Sequence, residues 1–345
     1  MSSFSSNAIL AKVRSMYSKH LSESDYDELL KRRTISDLTA YLKNETAYGE
    51  ILSQVKETNI HREQLEALLN EEAFMRLAKL MRYASKKDLE FYRLGILELE
   101  MHLIMIKIRL MEAQSTLSYD LKIPDYLVRY ASFHLYGLLS VNTYDELLRL
   151  IRSTEYYHIF ESFRSKDGEK INLNLLERAL RREHYSEYIR IIKKLFKGKK
   201  QKDLLTMIYT VIELQNITKI YRLKKYFNAP SEDIKNTLLL EYSRIPLSVL
   251  NEMIEAKDAT EFLNMLAASP YKLYVDDNDF VFIEYYTGNI KYHLAKRFMR
   301  FSTDSPLVYM TYKFVQSIEI DNLKHIIEGL RYGQSADKIE DMLIY

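Results

Sequence analysis

The chain has no cysteine and no tryptophan, and only eight glycines and five prolines in 345 residues. Without cysteine there can be no disulfide framework, no thiolate zinc site and no cysteine nucleophile. Strands joined by tight turns draw heavily on glycine and proline, so their scarcity favours helices. Charge of one sign is also lacking: fifty Lys and Arg against forty-eight Asp and Glu leave a formal net charge of +2. A chain that binds nucleic acid generally carries a larger basic surplus or a clear basic face. Charged residues are 28% of the chain and apolar ones 47%, a balance that fits neither a disordered chain nor a membrane-embedded one.

Long hydrophobic runs are missing as well. The most apolar stretch, DLEFYRLGILELEMHLIMIKIRLMEAQ, is interrupted by Glu98, Glu100, His102, Lys107 and Arg109. It falls short of the ~20 apolar residues that cross a bilayer and predicts a central buried helix. The first residues, MSSFSSNAILAKVRSMYSKHL, have no basic flank leading into an apolar core and no small-residue cleavage signal, which predicts an intracellular protein.

Catalytic patterns are absent too. There is no glycine-rich phosphate loop ending in Lys-Ser or Lys-Thr, no dinucleotide fingerprint and no HExxH helix. The histidines at 20, 61, 102, 134, 158, 184, 293 and 325 stand apart, none three or four residues from another, so no metal ligand set emerges. His102, on the apolar helix, is expected to be a satisfied core residue. Paired carboxylates such as Glu71 and Glu72 or Glu98 and Glu100 are expected on solvated faces, since spacings of one and two do not share a side of a helix. No catalytic, cofactor-binding or metal-binding residue is assigned.

What the chain does have is a phrase used three times. TISDLTAYLKNETAY (Thr34 to Tyr48) returns as NTYDELLRLIRSTEY (Asn142 to Tyr156) and, reduced to its physical skeleton, as KDATEFLNMLAASPY (Lys257 to Tyr271). The skeleton is a helix cap, one or two turns with apolar residues inside, and a closing hydroxyl, any residue, tyrosine: Thr46 and Tyr48, Thr154 and Tyr156, Ser269 and Tyr271. The tyrosines are 108 and 115 residues apart, close to domain size. Thr143 with Glu146, and Asp258 with Glu261, place an N-cap acceptor three residues before an acid; Thr34 with Asp37 is a weaker version. Three helix starts are predicted there.

Between the phrases, helices are predicted from Ser6 to His20 with Ile9, Val13 and Tyr17 near one face, over HREQLEALLNEEAFMRLAKLMRYA, over NLLERALRREHYSEYIRIIKKLF and over DLLTMIYTVIELQNITKIYRLKKYF. Crossovers are expected at 115–125 and 228–240, loops around Gly168 and over KGKKQKD, and an exposed turn at Asp276 to Asp279. Pro306 suits the first turn of a helix, and Gly329 and Gly333 its loosening or end. A second internal match joins the long closing helices: Glu213, Asn216 and Ile217 correspond to Glu319, Asn322 and Leu323, while the first unit keeps only Glu98 and Met105. The inferred architecture is all-α, with three related units at 1–118, 119–230 and 231–345.

Two surface features stand out. Lys193, Lys194, Lys197, Lys199 and Lys200 form the strongest basic tract, interrupted upstream by Glu177, Glu183 and Glu187, and suit either a solvated face or an orienting contact. Among twenty-eight tyrosines, Tyr48, Tyr156 and Tyr271 are expected inside, whereas Tyr185, Tyr188, Tyr285 and Tyr286 are candidates for a contact surface.

YDELLKRRTISDLTAYLKNETAY near the start, YDELLRLIRSTEYY in the middle and EIDNLKHIIEGLRYG followed by DKIEDML at the end resemble, in order and spacing, the C subunit of V/A-type rotary ATPases, which is similar to the eukaryotic d subunit. Ser269-Pro270-Tyr271 departs from the threonine form. The resemblance implies a non-catalytic, all-helical, three-domain funnel around a central cavity. Its implied partners are the central-stalk subunits, received in the cavity, and the membrane rotor (proteolipid) ring, with no nucleic acid and no cofactor. The implied place is peripheral, on the cytoplasmic face of the membrane, as a coupler in H+ or Na+ transport. The residues alone leave a freestanding helical scaffold that grips a peptide or helix as the alternative. Purified protein is expected to show no ATP hydrolysis and to keep its helical circular dichroism in excess chelator.

Overall fold

The structure is a computed structural model that describes residues 3–112, 121–164, 171–272 and 283–345. Every regular element among them is helical. In chain order these are α1 (Ser3–Tyr17), α2 (Glu23–Leu30), α3 (Ile35–Glu45), α4 (Gly49–Leu52), α5 (Arg62–Met81), α6 (Leu89–Glu112), α7 (Asp125–Val128), α8 (Gly137–Ser140) and α9 (Tyr144–Leu150). There follow α10 (Tyr157–Ser162), α11 (Leu173–Leu195), α12 (Gly198–Phe227), α13 (Ser231–Lys235), α14 (Leu247–Glu255), α15 (Ala259–Ala268), α16 (Ile283–Phe301), α17 (Ser305–Arg331) and α18 (Ala336–Glu340). By contact the chain divides into two compact units. One is Met1–Lys87 with Val275–Tyr345, the other Asp88–Tyr274.

The three predicted helix starts are in place. Thr34 Oγ1 accepts the Asp37 N–H at 3.0 Å, Thr143 and Glu146 close a reciprocal capping box, and Asp258 Oδ1 accepts the Glu261 N–H at 2.9 Å. Each side chain satisfies a first-turn amide that has no partner within the helix. The closing hydroxyls act at the opposite ends. Thr46 donates to the Leu42 carbonyl at 2.5 Å and accepts the Tyr48 N–H at 3.2 Å; Ser269 donates to Leu266 at 2.6 Å and accepts the Tyr271 N–H at 3.2 Å. Thr154 donates to the Ile151 carbonyl at 2.7 Å. One hydroxyl thus ends the helix and turns the backbone that carries the tyrosine.

In the first unit α1, α5 and α16 pack along α17. Its core joins both ends of the chain: Leu21, Tyr26, Leu29, Leu38, Leu42, Tyr48 and Leu52 lie with Ile320, Leu323, Ile326, Ile339 and Leu343. In the second, α11 packs against both α6 and α12. Phe91 of α6 meets the edges or faces of Phe196 at 5.4 Å and Tyr188 at 6.2 Å between ring centres. The apolar run forms the buried helix expected of it, with Phe91, Leu94, Met101, Ile104 and Ile108 enclosed, and no helix of the described residues is long and apolar enough to cross a membrane.

Several expectations need correction. His102 is exposed; it occupies the narrow solvent side of α6, which its apolar neighbours disguise. Glu100 and Glu72 are buried, not solvated, because each has donors converging on it. Tyr185 and Tyr188 are core residues, on the side of α11 that packs against α6 and α12, where Tyr188 meets Phe91 and Tyr185 shares Gln215 with Arg181. KGKKQKD is not a loop: Gly198 onward is already α12, and the link between helices is Phe196 and Lys197 alone. Residues 115–120, the loop around Gly168 and the turn at Asp276 to Asp279 lie outside the described residues.

Pro306 sits in the first turn of α17, as expected. The far end of that helix shows why two glycines follow it. Gly333 turns the chain at φ 62°, and the Gln334 N–H returns to the Gly329 carbonyl at 2.9 Å, the αL stop of a helix C-terminus. Gly329 serves packing instead, since an added Cβ would overlap the Ile339 side chain of α18. Gly329→Ala is therefore expected to lower stability in urea unfolding by about 1–3 kcal/mol through overpacking, and adding Ile339→Val should recover part of the loss.

Candidate functional site

The three repeat tyrosines end on three buried carboxylates. Tyr48 donates to Glu319 of α17 at 2.6 Å, across 271 residues of sequence. Tyr156 donates to Glu100 of α6 at 2.8 Å. Tyr271 donates to Glu213 of α12. The carboxylates are between 0% and 2% exposed, so every oxygen must find its donors within the protein.

The remaining donors come from the segment that precedes each phrase. Glu319 accepts the Leu21 N–H at 2.7 Å and meets His20 Nδ1 at 2.5 Å. Glu100 accepts the Ser132 N–H and the Ser132 hydroxyl, both at 2.6 Å. Glu213 accepts the Arg244 N–H and its guanidinium, Nη2 at 2.7 Å. The pattern is common: one buried carboxylate takes a tyrosine hydroxyl, a backbone amide and a side chain of the residue at or beside that amide. Only the side chain differs, being histidine, serine or arginine.

Asn216 and Asn322 make the matching contact one turn further along. Asn216 donates to the Leu239 carbonyl at 3.0 Å and accepts the Leu239 N–H at 3.2 Å. Asn322 does the same with Ile344, at 2.7 Å and 3.0 Å, and also reaches the Tyr26 hydroxyl at 3.1 Å. Each amide pairs both polar groups of one extended residue, which would otherwise be stranded in the core. In α6 the carboxylate is Glu100 and not Glu98, a correction to the sequence match. Two residues turn a helix by roughly 200°, and Glu98 faces outward, half exposed and 3.7 Å from His184.

Electrostatics differ among the three. Burial pushes the Tyr48 hydroxyl well up, and the Glu319 charge adds to it; Tyr156 and Tyr271 are raised for the same reasons, burial first. All three remain neutral donors. Burial also pushes Glu319 up, but hydrogen bonds from His20, Tyr48 and the Leu21 amide, with the His20 charge, leave its carboxyl below the ordinary value. Arg76, itself buried, lies over the Tyr48 ring at 4.8 Å and binds Glu72 at 2.7 Å.

The basic tract is spread over the end of α11 and the start of α12. Lys194 pairs with Glu90 at 2.9 Å, Lys197 Nζ donates to the Lys193 carbonyl at 3.2 Å, and Lys199 is exposed while Lys200 is half-buried. Tyr285 and Tyr286 are half-buried and stand edge to face at 5.6 Å. Among the described residues no three His, Asp or Glu side chains come together as a metal site would require. The structure joins Tyr48 to Glu319 and Tyr271 to Glu213 among the repeat residues, gives Tyr156 an acid, Glu100, that the repeat match did not name, and takes no donor for them from the lysine tract. The sequence reading missed Glu100, Ser132, Arg244, His20 and Arg76; of these only Glu100 carried a signal, as an acid directly before the most apolar turns of its helix, MHLIMI.

Removing one donor from a buried carboxylate costs about 1–3 kcal/mol, so Tyr48→Phe and Tyr156→Phe are each expected to lower the urea-unfolding free energy by that amount. Because the folded carboxyl of Glu319 lies below its unfolded value of 4.5, its stabilisation is complete above that pH and is lost as pH falls through the folded value. Glu319→Gln should therefore flatten the acid limb of stability measured between pH 6 and pH 3.

The comparisons with known proteins agree with one another. The family described as ATP synthase (C/AC39) subunit matches residues 9–342. The chain is similar to the C subunit of the A-type ATP synthase of Methanosarcina acetivorans, 23% identical over 351 residues that cover 97% of this chain and 91% of the relative. It is also similar to the corresponding A-type ATP synthase protein of Methanosarcina mazei, again the C subunit, 24% identical over 208 residues, 59% of this chain and 55% of that one. With a match that runs nearly from end to end, the chain belongs to the ATP synthase (C/AC39) subunit family.

Proposed function

We propose that this protein is the non-catalytic coupling subunit of an A/V-type rotary ATPase, set between the central stalk and the membrane rotor ring and passing torque between them. The observation that carries the reading is the family match over residues 9–342. The junctions support it physically. Tyr156 of the second phrase bonds to the long helix α6 earlier in the chain, Tyr271 of the third to the long helix α12 earlier in the chain, and Tyr48 of the first to α17 near the chain's end. This cyclic order of contacts favours three units, 1–118, 119–230 and 231–345, closed as a funnel around a cavity. Torque transmission needs an interior that resists strain, and close packing tied by buried hydrogen bonds supplies it. In this reading the stalk foot enters the cavity, the rim rests on the proteolipid ring, and the protein lies on the cytoplasmic face of the membrane.

The lysine tract is the orienting contact in this proposal. Purified wild-type protein should bind stalk subunits and detergent-solubilised ring in separate pull-down assays. Replacing Lys193, Lys194, Lys197, Lys199 and Lys200 by glutamine should weaken one of them and reduce its salt dependence, with the helical signal unchanged. Wild-type protein that binds neither stalk nor ring would sink the coupling role.

A further inference from the structure

A second cationic site lies in the second unit, away from the lysine tract. Arg109 of α6, Arg181 of α11 and Lys219 of α12 converge on the seam of three helices. Glu177 of α11 takes Arg109 at 2.7 Å and lies 3.7 Å from Lys219. Arg181 Nη2 donates to Gln215 at 2.7 Å, and Tyr185 donates to the same oxygen at 3.0 Å. Arg181 Nη1 is buried with no acceptor. One carboxylate thus meets two cations, a third lies beside Lys219, and a guanidinium N–H stays unsatisfied.

Such an arrangement is costly in the isolated protein. Burial pulls the Lys219 ammonium down to about 8, and the neighbouring Arg181 charge acts in the same direction against Glu177. Lys219, Glu177 and Arg109 are reachable, keeping 32%, 36% and 46% of their side chains exposed, whereas Arg181 Nη1 is enclosed and Arg181 acts on the seam through its charge. Their backbones belong to the packed helices α6, α11 and α12, so the donors are held in place before any ligand arrives. Along α11, Arg181 is twelve residues from Lys193, where the tract begins, roughly 18 Å at helical rise. The seam and the tract are therefore separate features.

We propose that the Arg109–Arg181–Lys219 seam is a docking point for a carboxylate on a partner protein, an Asp or Glu presented by an acidic segment. The inference rests on the coupling role for its biological partner, the stalk or the ring, but not for the chemistry of the seam. A carboxylate is favoured because it matches the chemistry the seam already uses: Glu177 is held there by Arg109 and Lys219, and guanidinium groups bind carboxylates through paired N–H donors. The excess of positive charge leaves room for one more such group.

The seam makes an unusual demand on stability. If Lys219 were only the ion-pair partner of Glu177, its loss would destabilise the protein. If the seam awaits an anion, Lys219→Gln relieves repulsion from Arg181 and raises the Tm of the isolated protein by a few degrees.

The test measures that Tm alongside binding of a decaglutamate peptide by calorimetry at two salt concentrations. Wild-type protein should bind the peptide, more weakly as salt rises, and Lys219→Gln and Arg109→Gln should each weaken it at least tenfold. The five-lysine glutamine variant should bind it as wild type does, which separates the seam from the tract. A lowered Tm for Lys219→Gln, absent peptide binding, or peptide binding that survives both substitutions each overturn the proposal. Inorganic phosphate or phosphatidylglycerol vesicles binding through Arg109 and Lys219 in preference to the peptide overturn the carboxylate assignment. If stalk and ring assemble equally well with both variants, partner docking is overturned while the coupling role stands. If wild-type protein assembles with neither, the coupling role falls and the peptide and Tm results still decide the seam.

Discussion

A carboxylate withdrawn from water is tolerated only where donors surround it, and three such carboxylates organise this protein. Glu100, Glu213 and Glu319 stand in the middle of the long helices α6, α12 and α17 and are almost wholly enclosed. Each draws in a tyrosine from a phrase distant in sequence and a backbone amide from the segment before that phrase. Hydrophobic burial can hold helices together at many rotations and registers. A buried carboxylate admits few, because a shift of one residue would strand its charge. The junctions thus specify how each phrase meets its helix, while the leucines and isoleucines around them supply most of the area removed from water.

The junction on α17 differs from the others in being made by opposite ends of the chain. Glu319 binds Leu21, His20 and Tyr48, and the ring of Tyr345 stacks on Tyr26 at 4.5 Å. For Glu100 and Glu213 the amide partner follows about thirty residues later, so local chain connectivity favours the contact. For Glu319 the loop to be closed is 298 residues long. Closure entropy grows slowly with length, which allows the same chemistry to work there. This junction also carries the densest set of neighbours, with Arg76, Glu72 and His20 beside it, and so it combines the largest number of buried ionisable groups with the longest-range contact.

The family to which the chain belongs is that of the ATP synthase (C/AC39) subunit, and the proposed coupling role would call for the mechanical continuity that these junctions offer. The three junctions keep the tyrosine and the amide and vary the third donor among His20, Ser132 and Arg244. The shared part is the part that geometry constrains most. A tyrosine reaches the carboxylate only if the hydroxyl two residues earlier has ended its helix and turned the chain, as Thr46 and Ser269 do. The third donor stands at the edge of the pocket, where several side chains can reach, so its chemistry is free to differ.

How much of this was legible follows from range. Caps, helix ends and the hydroxyl-x-tyrosine closure are local: Thr34, Thr143 and Asp258 act on amides three residues away, and the Gly333 stop acts within five, so residue order alone determines them. The all-helical class follows in the same way from scarce glycine and proline. Glu213, Asn216, Glu319 and Asn322 could be seen to recur, but not what they bind, since their partners are 22 to 299 residues away. Glu100 was mistaken for a solvated acid and Glu98 for its counterpart because spacing along a helix does not say which face is covered. The same limit hid the cationic seam, whose members come from three helices, and misplaced Tyr185, Tyr188 and His102. The sequence by itself determined the three capped helix starts, the Gly333 stop and which phrases repeat, because those depend on neighbours in the chain, while the start of α12 inside KGKKQKD did not show there. Which carboxylates are buried, and which donors meet them, was decided only by the tertiary structure, because burial is a property of what the rest of the chain packs on top.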